Sequence, residues 1–314
     1  MEDSRSRMRP LVALNIRDVR HLCKLLGTSP EELERICAEP KRYYRQSQLV
    51  IRGKTRPIAT PHGRLRETLD RLQSLLQRVC LPESIHGGRR GYSYITNALS
   101  HLCKPLVLCM DLKDFFPSVT NHRIYNVFRG RLGCTPDVAR YLTRLTTLNG
   151  CLPQGSPTST ILAAIASEPL AMRLGKLAVQ HRAQYSQYVD DVTISGPEHL
   201  GRLVPLVETA IRHEGFVVNN SKTRVASGNT EKTVTGIRVN QGPDIPRKKL
   251  QEVRCLIDDL ERNRNCIRGG VSKRELDSIK GKIRFVEGLN PGAGRFLRRR
   301  FNRVLLRESQ RKHT

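Results

Sequence analysis

The sequence has no long apolar segment, no paired-cysteine motif and comparatively few acidic residues. No apolar run approaches the roughly 20 residues that cross a bilayer, and the basic stretch 1–10 has no apolar core of the secretion-signal kind. The nine cysteines include no Cys-x-x-Cys pair and no Cys/His set with zinc spacing. We therefore expect reduced thiols in a cytoplasmic protein that has no membrane partner.

The shortage of acids leaves a large positive excess. Asp and Glu number 29 against 55 Lys and Arg, which gives a formal charge of +26. An excess of this size favours a polyanionic partner, and nucleic acid is the one we expect. At 314 residues, the chain can hold one large domain or two modest ones.

Two adjacent aspartates, Asp190 and Asp191, interrupt the apolar stretch QYVDDVTIS at residues 187–195. The pattern is typical of a short hairpin with both acids at its tip. A solvated turn would explain this pair alone, but a third acid, Asp111, ends the apolar run 105–110, which has the length of a buried strand. Three such carboxylates form the arrangement that holds two divalent cations for phosphoryl transfer.

The rest of the chain predicts mixed α and β structure. We expect two short strands within 48–60, helices over 64–79, 161–174 and 203–214, and strands over 215–219 and 233–240. From about residue 245 the pattern becomes helical and basic, over 248–262, 273–290 and 295–312, and the last helix has an apolar face and an arginine-rich face. These patterns divide the chain into a helical segment 1–45, a mixed core 46–244 and a basic helical unit 245–314.

Four motif residues suggest nucleotide chemistry by residue type and place. Arg52 and Arg56 lie at the first hairpin, where guanidinium groups can reach phosphates. A ring at Phe116, shortly after Asp111, could exclude a ribose 2′-hydroxyl by volume, although adjacent phenylalanines usually belong to a core. Lys222 lies in a basic turn and could protonate a leaving pyrophosphate, the alternative being a lysine that is simply exposed to solvent.

The order of these motifs resembles the palm of reverse transcriptases. The resemblance covers about residues 48–240 and is carried by Asp111, PQG at 153–155, YVDD at 188–191 and Lys222. Two further motifs, NALSH at 97–101 and VTG at 234–236, are similar to the Asn-Ala-x-x-His and Val-Thr-Gly signatures of bacterial retron reverse transcriptases. Val189 departs from the commoner alanine, and arginines stand at finger positions that are often lysine.

The resemblance implies an α+β right-hand polymerase fold. Fingers and palm, with an antiparallel sheet plus helices, would occupy 46–244, and a helical thumb would occupy 245–314. It also implies an RNA-directed DNA polymerase that copies part of its own structured non-coding RNA from deoxynucleoside triphosphates. Priming from an internal guanosine 2′-hydroxyl would give branched RNA–DNA, in an anti-phage system with a separate effector protein.

The resemblance further implies roles for individual residues. Two Mg²⁺ ions would be held by Asp111, Asp190, Asp191 and the Leu112 carbonyl, with Lys222 as the general acid. The incoming nucleotide would meet Arg52, Arg56, Asp114, Phe115, Phe116 as a steric gate, and Gln154. RNA would be contacted by Asn97, His101, Val234, Thr235, Gly236, Arg298, Arg299 and Arg300.

Two alternatives remain open at the level of sequence. A group II intron-like or diversity-generating reverse transcriptase shares the chemistry, but the two retron signatures and the lack of further domains disfavour it. A non-catalytic RNA-binding scaffold is disfavoured because it has no need of three mutually repelling carboxylates.

Overall fold

A computed structural model describes residues 12–51, 54–262 and 272–311. The helices are α1 (Val19–Leu26), α2 (Pro30–Ala38), α3 (Gly63–Leu76), α4 (Tyr94–Leu99), α5 (Phe115–Ser118), α6 (Asn121–Asn126), α7 (Pro136–Thr146), α8 (Ser159–Ala166), α9 (Glu168–Gln180), α10 (Val204–His213), α11 (Arg247–Arg262), α12 (Lys273–Leu289) and α13 (Pro291–Arg311). The strands are β1 (Tyr44–Ile51), β2 (Lys54–Pro61), β3 (Leu106–Asp111), β4 (Gln184–Tyr188), β5 (Asp191–Gly196), β6 (Arg224–Ala226), β7 (Thr233–Val234) and β8 (Ile237–Arg238). Within the described residues, none of the helices is long and apolar enough to cross a membrane.

A four-stranded antiparallel sheet in the order β4-β5-β3-β6 lies at the centre. The apolar sequence of β3 suits its inner position, because a strand between two others is buried on both faces. Asp191 lies opposite Tyr188 on one side and opposite Asp111 on the other. Residues that pair across a sheet point to the same face, so both aspartates lie on one face, which we call the carboxylate face.

The two faces of this sheet are covered by different cores. Leu108, Met110 and Ile194 point away from the carboxylate face into the large helical core. On the carboxylate face, Val107 packs with α4 and with the β7–β8 hairpin in a smaller apolar cluster. The segment α4 and the β7–β8 hairpin therefore share one side of the sheet with the aspartates.

The first two helices belong to the large core. Leu22 of α1 and Leu33 of α2 are fully buried in it, together with Leu69 of α3. Ser29 caps α2 by accepting a hydrogen bond from Glu32 N–H, with Pro30 in the first turn, as the sequence indicates. The division of the chain at residue 45 stays a prediction, since the described part of 1–45 packs into the same core as the residues that follow.

The last three helices form a core of their own. Its buried members are Ile245, Val253, Ile257, Ile279, Ile283, Val286, Leu297 and Phe301. This core begins at the residue where the sequence changes character, and it supplies the helical unit expected of a thumb. The mixed composition and the antiparallel pairing confirm the α+β class.

Three predicted elements differ from the structure. The single strand predicted over 233–240 is the short β7–β8 hairpin. Residues 215–219 form no strand, because Phe216 turns into the core and only an isolated bridge joins Val218 to Leu112. The helix predicted over 161–174 is split into α8 and α9 at Ser167. Pro169, in the first turn of α9, has no N–H to donate to a preceding turn, so a continuous helix would be broken there.

Candidate active site

A tight turn over residues 188–191 joins β4 to β5. Val189 has φ 58, in the left-handed region, which is strained for a β-branched residue. The side chain of Gln187 stabilises this turn through two hydrogen bonds. Its Nε2 donates to the Val189 carbonyl at 2.9 Å, and its Oε1 accepts from the Tyr185 hydroxyl at 3.0 Å. Gly87 passes so close that a Cβ there would lie 2.2 Å from Val189 N. The turn is therefore fixed from two sides.

This turn brings the three aspartates to one end of the carboxylate face. Asp111 ends β3 directly opposite Asp191, which begins β5. Asp190 precedes it, and its carbonyl oxygen accepts a hydrogen bond from Leu112 N–H at 2.8 Å. Asp111 is buried and the other two are half-buried. Carboxylates from two separate segments of the chain thus share a small, partly dry region.

Lys222 and Asn219 engage the carboxylate of Asp111. Lys222 Nζ forms an ion pair with Asp111 Oδ1. Asn219 Nδ2 donates to Asp111 Oδ2 at 3.4 Å, and Asn219 N–H donates to the Asp111 carbonyl at 2.7 Å. Both carboxylate oxygens of Asp111 therefore have partners from the turn that follows residue 218.

Burial and mutual repulsion raise the pKa of the two turn aspartates. Burial is the main cause of the raised pKa of Asp190, and the charge of Asp111 adds to it. Burial, then Asp190 and Asp111, raise the pKa of Asp191 to about 6. Lys222 opposes both shifts, and Arg56 opposes that of Asp190. Burial therefore outweighs the nearby cations, which for Asp191 also include Arg224, and both carboxyl groups bind a proton more readily than they would in water.

The donor chemistry fits a divalent cation, although the carboxylates do not yet converge on one point. Within the described residues, no group of three or more His, Cys, Asp or Glu side chains is placed to hold a metal ion as it stands. Asp111 shows why, since its oxygens turn to Lys222 and Asn219. Carboxylate and carbonyl oxygens are the ligands that Mg²⁺ prefers. Asp111, Asp190, Asp191 and the Leu112 carbonyl remain the predicted ligand set.

The arginine and the glutamine predicted to bind the nucleotide lie on adjoining segments. Arg56 of β2 is near enough to Asp190 to lower its pKa. The Gln154 carbonyl accepts a hydrogen bond from Ala59 N–H of β2 at 2.7 Å, which fixes the loop that carries Gln154 against this strand. Arg52, the other predicted phosphate ligand, lies outside the described residues.

The two adjacent phenylalanines differ in burial. Phe115 is 4% exposed and packs against Phe216, with 5.6 Å between ring centroids, so its side chain belongs to the core. Phe116 is only half-buried. Asp114, the N-cap residue of α5, has φ 47, so the backbone turns sharply just after the buried strand. The exposed part of Phe116 is consistent with its predicted role as a steric gate, which stays a prediction.

The two retron signatures occupy mostly interior positions. Asn97, His101 and Val234 have no exposed surface, so their side chains cannot touch RNA in this structure, which corrects the expectation of direct contact. Thr235 and Gly236 are half-buried in the turn between β7 and β8. Polar residues on a short helix resemble surface residues in sequence, and their burial depends on partners far along the chain.

Three consecutive arginines of α13 have different surroundings. Arg298 pairs with Glu287 of α12. Arg300 pairs with Asp258 of α11 at 2.7 Å and with a second acid of that helix, so it holds α13 to α11. Arg299 is exposed and has no ion pair among the described residues. Of the three, Arg299 is therefore the one best placed for phosphate contact.

Sequence reasoning missed the residues that hold the aspartates in place. Gln187, 1% exposed, braces the turn, and Asn219 binds Asp111. Gln187 carries no clear signal, because its strand also contains Gln184 and Ser186. Asn219 carries no such signal, because asparagine before a basic turn is common in loops.

Residues 40–242 match the model of the reverse transcriptase (RNA-dependent DNA polymerase) family. The matched segment includes the three aspartates, the loop of Gln154 and Lys222. It covers more than half of the chain, from the start of the first hairpin almost to the C-terminal helical unit.

Curated relatives include retron enzymes. The Retron Se72 reverse transcriptase of Salmonella heidelberg (strain 579083-10) is 27% identical over 248 residues, which is 75% of this chain and 65% of the relative. The Retron Mx162 reverse transcriptase of Myxococcus xanthus is 31% identical over 280 residues, which is 77% of this chain and 57% of the relative. The chain thus spans less than two thirds of the length of both. A solved telomerase from Candida albicans, with a fragment of telomeric RNA, aligns at a TM-score of 0.47 and 12% identity, over 83% of this chain and 56% of that one.

Proposed function

The chain belongs to the reverse transcriptase (RNA-dependent DNA polymerase) family, and from this premise we propose that it is the RNA-directed DNA polymerase of a retron. Its similarity to curated retron reverse transcriptases supports the retron assignment. The Asn-Ala-x-x-His and Val-Thr-Gly signatures in its own sequence support it independently. The formal charge of +26 suits an enzyme that holds an RNA template and an RNA–DNA product.

The placement of Asp111 opposite Asp191, with Asp190 beside them, carries the proposal. Two divalent cations, expected to be Mg²⁺, would be held by the three aspartates and the Leu112 carbonyl, and they would activate the attacking hydroxyl and neutralise the triphosphate. Burial is the main cause of the raised pKa values of Asp190 and Asp191, and a bound cation would offset the cost of burying these two charges. A scaffold without catalysis has no use for such a cluster.

The chain's own residues orient the nucleotide. Arg56 binds the triphosphate by charge, with backbone N–H groups of Asp114 and Phe115 as donors. Gln154 positions the incoming nucleotide from a loop that its carbonyl pins to β2. Phe116 excludes the 2′-hydroxyl of a ribonucleotide by volume. Arg52 is proposed to add a second guanidinium at the phosphates.

Lys222 acts as the proton donor for the leaving pyrophosphate in this proposal. Its ammonium group begins in an ion pair with Asp111 Oδ1, at the site of the reaction. Once the ion pair with Asp111 breaks, the Nζ of Lys222 can turn toward the departing phosphate oxygen. General-acid donation by a positioned side chain contributes about 10² to 10⁴ in rate.

The retron assignment extends to the template and the primer. The template is part of a structured non-coding RNA that the enzyme binds as its own. Priming from the 2′-hydroxyl of an internal guanosine gives a branched RNA–DNA molecule, and the system serves anti-phage defence with a separate effector protein. Sequencing of the nucleic acid that copurifies with the protein tests this part: a branched RNA–DNA species is expected, and its absence from an active preparation would refute the retron assignment.

Primer extension on poly(rA)/oligo(dT) with Mg²⁺ tests the polymerase activity. The wild type is expected to extend the primer, and a variant with Asp190→Asn and Asp191→Asn is expected to be inactive. Asp137→Asn, which changes an exposed acid of α7, is a matched control that should stay active. Extension by the double variant at the wild-type rate would refute the assignment of the site.

A further inference from the structure

His101 is buried against both strands that flank the carboxylate turn. It follows α4 by two residues and has no exposed surface. Its Nε2 lies 2.6 Å from Ser186 Oγ on β4, and its Nδ1 lies 2.6 Å from Ser195 Oγ on β5. Since β4 and β5 are the two arms of the hairpin that ends in Asp190 and Asp191, one imidazole ring joins both arms.

Burial of the His101 ring favours its neutral form, which limits the hydrogen bonds that the ring can make. Burial, with the charges of His86 and Lys104 adding to it, lowers the pKa of His101 to about 3. A neutral imidazole has one N–H donor and one acceptor nitrogen. One of the two serine hydroxyls must therefore accept a hydrogen bond from the ring, and the other must donate one. The ring cannot rotate without losing a partner inside the protein, where an unpaired polar group is costly.

Only a short length of hairpin separates this ring from the aspartates. Ser186 lies opposite Thr193, and the next pair on the same face is Tyr188 opposite Asp191. Two residues of strand extend about 7 Å. Ser195, the other partner of the ring, lies opposite Gln184 and four residues from Asp191, so the ring braces the base of the hairpin whose tip carries the two aspartates.

The other end of α4 contacts the C-terminal helical unit. Tyr94 stacks on Phe285 of α12, with 5.4 Å between ring centroids and 21° between planes. Lys249 of α11 lies with its Nζ 3.5 Å from the Phe285 ring centroid. Thr235, in the Val-Thr-Gly turn, donates its hydroxyl to the Tyr94 carbonyl at 2.7 Å. The two retron signatures thus meet each other and the helical unit at α4.

We propose that His101 is a positioning residue that ties β4 to β5 and so fixes the backbone that carries Asp190 and Asp191, on which metal binding at this site would depend. Through α4 the same residue links the carboxylate turn to the C-terminal helical unit. The inference rests on the proposed function, since it concerns the metal-binding competence of that site. It assigns the histidine of the Asn-Ala-x-x-His motif to the active site instead of to RNA.

Three variants of the full-length protein test this role. His101→Leu removes both hydrogen bonds, His101→Gln keeps a donor and an acceptor, and Ser195→Ala removes one partner while leaving the ring. Thr146→Val is the control, since Thr146 is equally buried but lies in α7, bonded to the Leu142 carbonyl. For each protein we would measure the rise of Tm with Mg²⁺, the Mg²⁺ concentration for half-maximal primer extension, and RNA affinity by fluorescence anisotropy.

His101→Leu should raise the half-maximal Mg²⁺ concentration about 10- to 100-fold, the usual cost of losing a residue that orients metal ligands. It should also reduce the Mg²⁺-dependent rise of Tm and leave RNA affinity unchanged. His101→Gln should recover most of the loss, and Thr146→Val should lower Tm without altering the Mg²⁺ response. If His101→Leu does not fold, Ser195→Ala should show a smaller shift in the same direction.

Two results would overturn the inference alone. One is that His101→Leu and Ser195→Ala both respond to Mg²⁺ as the wild type does, which would mean that His101 only packs in the interior. The other is weaker RNA binding with an unchanged Mg²⁺ response, which would return His101 to RNA recognition. The proposed function would be overturned, and this inference with it, if Mg²⁺ did not change the Tm of the wild-type protein and the protein extended no primer.

Discussion

Lys222 Nζ and Asp111 Oδ1 form an ion pair at the carboxylate end of the central sheet. The Lys222 side chain is 40% exposed and that of Asp111 only 11%, so the lysine is the partner that has room to move. The ammonium group occupies an oxygen that the predicted metal site also requires. A metal ion bound at the predicted site would therefore compete with Lys222 for Asp111.

Replacement of Lys222 by glutamine should tighten metal binding and slow polymerisation. Removing the ammonium frees Asp111 Oδ1 for a cation, while loss of the proton donor should lower kcat by about 10²-fold or more. A Mg²⁺ titration followed by Tm, together with single-turnover primer extension, separates the two effects. Lys113→Gln, at an exposed lysine beside the same motif, is the control. Equal Mg²⁺ affinity in both variants would contradict the competition.

The raised pKa of Asp191 predicts a pH-dependent cost to stability without metal. In the unfolded chain this carboxyl has a pKa near 3.9, and in the fold it is about 6. The folded protein therefore binds the proton more tightly, and its free energy of unfolding falls as pH rises between these two values. Relative to Asp191→Asn, the wild type should lose on the order of 1–3 kcal/mol from pH 4 to pH 7. Urea unfolding in EDTA measures this loss, and parallel pH curves for the two proteins would refute it.

Phe116→Ala should admit ribonucleotides at the active site. The ring is half-buried beside the segment of Asp111, and its removal opens volume where a 2′-hydroxyl would lie. The measurement is the ratio of kcat/KM for a deoxynucleotide to that for the matching ribonucleotide. Phe115→Ala is the contrast: it should cost about 3–5 kcal/mol of stability and leave the ratio unchanged, because Phe115 lies in the core. An unchanged ratio in Phe116→Ala would remove Phe116 from the gate.

The arginines of α13 should separate into nucleic-acid ligands and packing residues. Arg295, Arg299 and Arg303 recur every four residues, are exposed and share one helix face. Replacing all three by alanine should flatten the salt dependence of RNA binding by about 0.7–0.9 in logarithmic slope for each lost phosphate contact. Arg300→Ala should instead lower Tm, because it breaks the pairing with α11. If the salt dependence of RNA binding changed only in Arg300→Ala, Arg300 would be the nucleic-acid ligand and the other three arginines would not.

The sequence predicted best where one local pattern decides the structure. The apolar run ending at Asp111 is β3, because a strand between two neighbours must be apolar on both faces. Ser29 and Pro30 likewise begin α2 with residue types that favour a helix start wherever they occur together. The strand predicted over 215–219 was wrong, because the neighbouring chain pairs with this apolar segment at a single bridge only.

The interior polar residues could not be predicted from local sequence. Asn97 lies on the short helix α4 and His101 follows it by two residues, and both residue types are more often found at the surface. The hydrogen-bond partners of His101 are Ser186 and Ser195, which are 85 and 94 residues away in the chain. Only the fold brings the ring and the hydroxyls together, so the motif suggested RNA contact where the structure has a buried hydrogen-bond network.

The separate core of the last three helices has a consequence for how the protein melts. Regions with independent apolar interiors can open at different temperatures. If the C-terminal unit melts first, a heated sample would keep its carboxylate cluster and β-sheet while losing its hold on a duplex. Calorimetry would then record two transitions, and product length would shorten with warming before activity disappears.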